Sequence, residues 1–314
     1  MNPVLKSVKP VIEESKEVRI NRNNLIKFCH KFQTREFKFW LNELPFDFPK
    51  LTKKEELNFL FILDSLQFCF WGSPKWTVEY KGEFYDGSWG LLASLVRAIE
   101  KGFEILNLKY LVRIPEKDLR GIFSGNTEIP LFKERLKILR ENSKILIEKF
   151  NGNFENLIKT EKEDALKILN LITNNFPSFN DSAIYKEHKV FFHKKAQLLI
   201  AEISKRKLAK IKNIDKLTAL ADYKIPLVLK ELGILKYSQN LTKKINNKIQ
   251  IPVGSEEEIE IRANNIWAIE LMKNELKSKF PKINALDIDF HLWMLGQNES
   301  FKGKPYHLTR TIFY

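Results

Sequence analysis

Acidic residues in apolar or turn-forming surroundings are the side chains of this sequence best suited to chemistry. Asp222 lies within LTALADYKIPLVLKELG, in which Ile225 precedes a proline. Because a residue before proline disfavours the α conformation, Asp222 and Tyr223 are expected at a break between helices. A carboxylate at such a break can face a cleft, or it can cap a helix by accepting backbone N–H groups.

A second acid lies close to an aromatic residue in NALDIDFHLWML. If this segment is helical, Asp289 and Trp293 are one turn apart on the same face. An acid and an indole in this arrangement suit a flat heterocycle, because one can hydrogen bond to it and the other can stack on it. A first-turn acid followed by a core tryptophan would give the same pattern.

A lysine-rich segment suits a phosphate-bearing ligand. Residues 186–212 contain nine Lys or Arg and two Glu. Lys194, in FFHKKAQLLIAEI, begins an apolar helical stripe. A lysine bound to a phosphate would have this setting, and so would a solvated lysine.

Familiar catalytic and metal-binding signatures are missing from the sequence. It contains no glycine-rich phosphate loop, GxSxG, HExxH or CxxC. His188 and His193 are five residues apart, which does not match the spacing of helical metal ligands. We therefore predict that the protein uses no metal and no cofactor.

The composition predicts a mainly α-helical protein. Of 314 residues 44% are hydrophobic, which excludes disorder, and the 12 Gly and 12 Pro are few for a β-sandwich. We expect a polar lead over residues 1–20, then a single large helical domain over 21–314 with at most a small β element. That element is expected at 77–85, where TVEYKGEFY alternates around a glycine.

Helical periodicity defines the other expected elements. A first helix is expected after the asparagine cluster at 21–24, and further helical patterns cover 88–102, 131–150, 156–176, 189–212, 226–236, 256–279 and 285–295.

The location and partners are predicted from segments and charge. The sequence shows neither an apolar secretory signal nor a run long enough to span a bilayer, so we expect a cytoplasmic protein without a membrane partner. The net charge of +14 would suit a polyanion, but the lysines spread beside glutamates along helices are typical of solvated faces. No stable nucleic-acid partner is expected.

Five stretches, in this order, resemble the queuosine salvage family, the queuosine 5′-phosphate N-glycosylase/hydrolases. They extend across most of the chain from about residue 20, and the segments ADYKIP and HLTRTIFY are the most specific. The stretches are DSLQFCFW (64–71), YKGEFYDGSWGLLASLVRAIE (80–100), FHKKAQLLIAEI (192–203), LTALADYKIPLVLKELGILKYS (218–238), and IEIRANNIWAIELM with DFHLW and HLTRTIFY.

The resemblance implies a mainly α-helical fold related to DNA glycosylases. It also implies hydrolysis of the N-glycosidic bond of queuosine 5′-monophosphate, releasing queuine and ribose 5-phosphate for salvage into tRNA modification. Asp222 matches the catalytic acid, Tyr223 its neighbour in the pocket, and Lys194 the phosphate-binding lysine. Asp289 and Trp293 match the acid and the aromatic residue that hold the queuine base.

Some positions depart from the family pattern. Leu220 stands where the family often has Phe, and Lys224 where it often has Arg. The NELP stretch at 42–45 puts Asn42 where relatives have a base-contacting histidine. We predict Leu220, Asn42 and Phe68, the last within the DSLQFCFW stretch, as further substrate contacts.

Two other functions remain open from the sequence. A non-catalytic nucleic-acid-binding helical protein would fit the net charge of +14 and the 12% aromatic content, and it predicts steep salt dependence of binding. A DNA glycosylase would fit the implied fold, but it requires a base-flipping wedge and a basic surface along the duplex, which the sequence does not reveal.

Overall fold

The computed structural model describes residues 2–33 and 38–314, and this part of the chain is mainly α-helical, as expected. The helices are α1 (Pro3–Glu14), α2 (Arg22–Lys31), α3 (Lys53–Ser65), α4 (Gly87–Glu100), α5 (Leu108–Leu111), α6 (Glu116–Ile122), α7 (Phe132–Phe150), α8 (Phe154–Thr160), α9 (Ala165–Asn175), α10 (Lys194–Lys205), α11 (Lys224–Glu231), α12 (Gln239–Asn246), α13 (Glu256–Leu276) and α14 (Ala285–Leu295). The strands are β1 (Val18–Ile20), β2 (Thr77–Tyr80), β3 (Glu83–Asp86), β4 (Ser182–Tyr185), β5 (His188–Phe191) and β6 (Leu235–Tyr237).

The strands form three two-stranded antiparallel sheets in the described chain. The hairpin predicted at 77–85 is confirmed as β2–β3, with Tyr80 paired to Glu83 across a turn that contains Gly82 at φ +84°. The expectation of a mainly α-helical fold with little β structure is confirmed, and the described chain adds to this hairpin a second one, β4–β5, and the pair β1–β6. The β1–β6 pair joins residues far apart in the sequence, so no local pattern could reveal it.

Several predicted helices are shorter in the structure than the periodicity suggested. The 156–176 segment contains two helices, α8 and α9, because Lys162 and Glu163 take left-handed conformations at φ 50° and 62°. The 189–212 segment is helical only in α10, since β5 occupies its start and His193 has φ 50°. Helix α11 ends at Glu231, two residues before Gly233 at φ +68°.

Helix α2 begins at Arg22, close to the expected start, but another helix precedes it. Helix α1 lies inside the segment expected to be a polar lead, and Val4, Val8 and Val11 on it are fully buried. Their spacing of four and three residues places them on one face. The predicted boundary between residues 20 and 21 stays a prediction.

The described chain divides into two compact units, made of residues 1–43, 181–197 and 213–310, and of residues 44–180, 198–212 and 311–314. In the first unit, α13 is the central helix, and α1, α2, α11, α14 and β1 pack against it. Residues on every side of α13 are buried, including Glu260, Arg262 and Asn265. These polar groups must therefore find partners inside the unit.

The second unit has an aromatic core. The Phe61 ring stacks on Phe154 with centroids 5.0 Å apart and on Phe179 with centroids 5.7 Å apart. After α3 the backbone is irregular, and buried Arg135 donates to the carbonyl oxygens of Leu66 at 2.5 Å and Cys69 at 3.1 Å. One arginine thus satisfies carbonyls that have no helical partner.

In the described residues, none of the helices combines the length and the apolar content needed to cross a membrane.

Glu260 anchors the segment between α1 and β1. Its carboxylate accepts the backbone N–H groups of Lys16 at 3.1 Å, Glu17 at 2.7 Å and Val18 at 3.1 Å. It also accepts the Tyr185 hydroxyl at 2.9 Å. A buried carboxylate with these donors is fully satisfied, and its loss would leave several buried donors unpaired.

We expect Glu260→Ala to lower the free energy of unfolding by about 3 kcal/mol or more, because each buried hydrogen-bond donor that loses its partner costs about 1–3 kcal/mol. Urea titration followed by circular dichroism measures the change. Glu13→Ala, on the exposed side of α1, serves as the control and should leave the midpoint unchanged. A Glu260→Ala protein as stable as the wild type would contradict the anchoring role.

Candidate active site

Asp222 lies in the irregular segment before α11, at the break that the proline predicted. Its Oδ1 accepts the backbone N–H groups of Lys224 and Ile225, both at 2.9 Å. The carboxyl therefore caps the first turn of α11, which is one of the two roles that the sequence left open for it. Asp222 is also buried, like most of α11 itself.

Asp289 lies in α14, whose bounds match the predicted 285–295. The helix begins with a capping box in which Asn284 and Asp287 exchange hydrogen bonds. Asp289 follows in the second turn and is 1% exposed. Its Oδ2 accepts the backbone N–H of Leu220 at 2.7 Å, so the acid of α14 binds the backbone two residues before Asp222.

The two acids interact electrostatically. Burial, and then the negative charge of Asp222, raise the pKa of Asp289 well above its usual range. Burial also raises the pKa of Asp222, but the Lys194 ammonium and the N–H groups of Ile225 and Lys224 oppose this rise. Because Asp222 has more stabilising partners for its charge, it ionises first and Asp289 keeps its proton to higher pH.

Lys194 is the first residue of α10, and its side chain is buried with the two acids. Its positive charge lowers the pKa of Asp222 and of Asp289 against the effect of burial. The solvated alternative for Lys194 is therefore wrong. The other lysines of the basic segment 186–212 are exposed except Lys195, which is also buried.

Aromatic side chains accompany both acids. Tyr223, next to Asp222, stacks on Tyr306 with ring centroids 4.8 Å apart. Trp293, one turn after Asp289, lies 6.1 Å from Trp40 between ring centroids. Tyr223 and Trp293 are both half-buried.

Three further predicted contacts lie in different settings. The Leu220 side chain is buried, and its backbone links to Asp289. Asn42 ends the short 3-10 helix Trp40–Asn42 and is exposed. Phe68 is fully buried in the second unit, with the Arg135 guanidinium 4.2 Å above its ring. Their roles as substrate contacts stay predictions.

Three polar residues around Asp222 were not predicted from the sequence. Arg262 and Asn265 on α13 donate to the carbonyl oxygens of Ala221 and Leu220, at 3.1 Å and 3.2 Å. Asp181 binds Arg262 through both carboxyl oxygens. The sequence signal that could have revealed them is the arginine in the apolar helical stretch IEIRANNIWAIEL, because an arginine buried in such a helix needs hydrogen-bonding or charged partners.

In the part of the chain that the structure describes, no group of three or more His, Cys, Asp or Glu side chains is placed to hold a metal ion. The expectation of a reaction without metal or cofactor stays a prediction.

Comparison with known proteins gives the family. The family model described as "Queuosine salvage protein" matches residues 48–314. The chain belongs to the queuosine salvage protein family. The resemblance carried by the five stretches is thereby confirmed.

Relatives in the family match nearly the whole chain. A protein of Sphaerobacter thermophilus named queuosine 5′-phosphate N-glycosylase/hydrolase is 39% identical over 99% of this chain and 97% of its own length. Proteins with the same name from Nematostella vectensis and Mus musculus are 37% and 36% identical, each over 85% of this chain and 84% of their own length. The span matched by the family model, residues 48–314, contains the positions of Lys194, Asp222 and Asp289.

The raised pKa of Asp289 predicts a pH dependence of stability. A carboxyl whose pKa is higher in the folded than in the unfolded state binds its proton more tightly when folded, so stability falls as pH rises from about 4 through the folded-state pKa. Asp289→Asn removes this proton but keeps an acceptor for Leu220. Its loss of stability between pH 4 and pH 8 should be smaller than that of the wild type.

Thermal unfolding followed at each pH in the two proteins measures the difference. Wild-type and Asp289→Asn curves that run parallel across this range would contradict a raised pKa at Asp289.

Proposed function

We propose that this protein hydrolyses the N-glycosidic bond of queuosine 5′-monophosphate, releasing queuine and ribose 5-phosphate for salvage into tRNA modification. The observation that carries the proposal is the cluster of two buried carboxyl groups, Asp222 and Asp289, with the Lys194 ammonium. The name shared by relatives along nearly the whole chain gives the substrate class. Incubation with queuosine 5′-monophosphate and chromatography for free queuine tests it.

Asp222 is the proposed catalytic acid. Cleavage of an N-glycosidic bond develops positive charge on the ribose ring, and a nearby carboxylate stabilises that charge. Lys194 and two backbone N–H groups favour the ionised form of Asp222. Since those N–H groups bind Oδ1, the other oxygen, Oδ2, is left for the ribose carbon or for the attacking water.

Asp289 has the complementary role. A 7-deazaguanine base leaves poorly, because a ring carbon replaces a nitrogen that could accept a proton. Its departure needs hydrogen bonds from the protein to the heterocycle. A carboxyl that keeps its proton to high pH can donate such a bond, and the half-buried ring of Trp293 one turn later can stack on the base.

Lys194 is the proposed ligand of the 5′-phosphate, and Tyr223 lines the pocket beside Asp222. A phosphate contact far from the reacting carbon supplies binding energy that helps to orient the ribose. Tyr223 is held against Tyr306 by stacking, which keeps its ring fixed beside the catalytic acid. Leu220 and Asn42 are further proposed substrate contacts, and the contact predicted at Phe68 stays a prediction.

The two other functions considered from the sequence are not favoured, since the relatives that match this chain carry the name of a nucleotide glycosylase/hydrolase. We infer a cytoplasmic enzyme with small-molecule partners and without a stable nucleic-acid partner. Kinship of the fold with DNA glycosylases is part of the same proposal.

Asp222→Asn should lower turnover of queuosine 5′-monophosphate by roughly 100-fold or more, because it removes the charge that stabilises the transition state. The amide oxygen still accepts the N–H groups of Lys224 and Ile225, so the fold is expected to be kept. Steady-state release of queuine measures the effect. Asp215→Asn, at an exposed acid seven residues earlier, is the control.

Near-normal turnover by a folded Asp222→Asn protein would move the catalytic role elsewhere, first to Asp289.

Lys194→Ala should reduce kcat/KM for the monophosphate about 10- to 150-fold, the effect of one charge-assisted contact. The free nucleoside has no phosphate, so its low efficiency should barely change. Because Lys194 also lowers the pKa of Asp222, both substrates are compared at a pH where Asp222 is ionised in each protein. Lys207→Ala, at an exposed lysine of the same basic segment, is the control.

Equal losses on nucleotide and nucleoside would make Lys194 a structural residue. Equal losses from Lys194→Ala and Lys207→Ala on the monophosphate would point to a diffuse basic field.

A further inference from the structure

Arg262 on α13 has a buried guanidinium with several partners. Its Nε donates to the carbonyl oxygen of Ala221 at 3.1 Å, and its two terminal nitrogens donate to Asp181 at 3.0 Å and 2.5 Å. Nη1 also donates to Glu258 at 3.2 Å. The guanidinium lies 3.9 Å above the Phe192 ring. A planar fork with donors on separate edges is required to make all these contacts together.

Asp181 connects Arg262 to the start of α10. Its Oδ2 accepts the backbone N–H of Lys194 at 3.4 Å. Its own carbonyl accepts the N–H groups of Phe192 at 2.9 Å and His193 at 3.2 Å. The turn that precedes α10, and therefore the backbone of Lys194, is held on Asp181.

The backbone before Asp222 is held from the same helix. Arg262 and Asn265, three residues apart on α13, bind the successive carbonyls of Ala221 and Leu220. Residues three apart lie on one face of a helix. Asp289 holds the N–H of Leu220 from α14.

We propose that Arg262 is a positioning residue that sets the separation between the Lys194 ammonium and the Asp222 carboxylate. One arm of its guanidinium fixes the backbone that leads into Asp222, and the other fixes, through Asp181, the backbone of Lys194. This inference rests on the proposed function in assigning catalysis to Asp222.

The separation matters because the attraction between two charges weakens as the distance between them grows. In a buried site the effective dielectric constant is low, so the same increase in distance costs more energy than it would in water. The charged and titratable groups that act on Asp222 are Lys194 of α10, Lys224 of α11 and Asp289 of α14. The groups around Arg262 itself are Asp181, Glu258 and His307; burial and the guanidinium charge lower the pKa of His307 to about 3, so this imidazole stays neutral.

Arg262→Lys tests the proposal because it keeps the positive charge but lacks the fork that joins Ala221 to Asp181. With Lys194 less firmly placed, the pKa of Asp222 should rise. The acid limb of the kcat pH profile should move to higher pH by at least half a unit, and kcat at neutral pH should fall about 10-fold. Release of queuine from queuosine 5′-monophosphate gives the profile, and ¹³C-carboxyl NMR titration gives the pKa of Asp222 without substrate.

Two control variants separate positioning from stability. Glu258→Gln removes a charge beside Arg262 but leaves both links intact, so the Asp222 pKa should stay as in the wild type. Arg97→Lys, in the second unit, replaces another arginine that binds carbonyls, those of Glu79, Ile122 and Ser124. It should change the melting temperature without changing the pH profile.

Asp181→Asn provides a second route if Arg262→Lys does not fold, since it removes the charge and one of the two oxygens that accept from Arg262 and so weakens the same link from the other side. If both variants fold, the double variant should be no worse than the more damaging single one, because the two residues act through one link. An unchanged Asp222 pKa in a folded Arg262→Lys or Asp181→Asn protein would overturn the positioning role. A wild-type protein without turnover would instead contradict the proposed function, and the NMR titration would still decide the positioning.

Discussion

The cost of burying charge governs the arrangement of this protein's first unit. Asp222 and Asp289 are buried close enough for the charge of one to raise the pKa of the other. Two ionised carboxyls in such a setting repel each other. Asp222 has more groups that stabilise its charge than Asp289 has, namely the Lys194 ammonium and two backbone N–H donors. This difference separates the pKa values of the two acids, so that one is ionised while the other is protonated. Such a pair can stabilise a cation with one carboxyl and donate a proton from the other.

Irregular backbone is stabilised here by buried charged side chains. Arg135 satisfies the carbonyls after α3, and Glu260 satisfies the N–H groups between α1 and β1. Arg262 does the same for Ala221, just before Asp222. Each segment lies where no regular helix or strand could provide partners, and a charged group offers several strong hydrogen bonds at once. A long buried helix such as α13 can carry Glu260 and Arg262 because each charged group and the backbone that it binds satisfy each other's hydrogen bonds.

The basic character of the chain separates into two kinds of lysine. Within residues 186–212 most lysines are exposed and act as solvated surface charges, but Lys194 and Lys195 are buried. A net charge of +14 therefore says little about the ligand, whereas one lysine buried with two acids defines a local electrostatic environment. That environment suits an anionic group, as the proposed binding of a 5′-phosphate by Lys194 requires.

The sequence by itself determined features that depend on neighbours along the chain. The bounds of α14, the one-turn spacing of Asp289 and Trp293, the hairpin β2–β3 and the break at Asp222 follow from periodicity, turn residues and a proline. Helix α1 and the division of 156–176 were missed, because valines in a polar stretch and left-handed residues at Lys162 and Glu163 leave weak local signals. Only the tertiary structure brought Asp289 to Leu220, 69 residues away, and Arg262 to Asp181, 81 residues away. A charged group that is buried in the folded core must find a partner there. No property of the local sequence specifies which distant residue that partner will be.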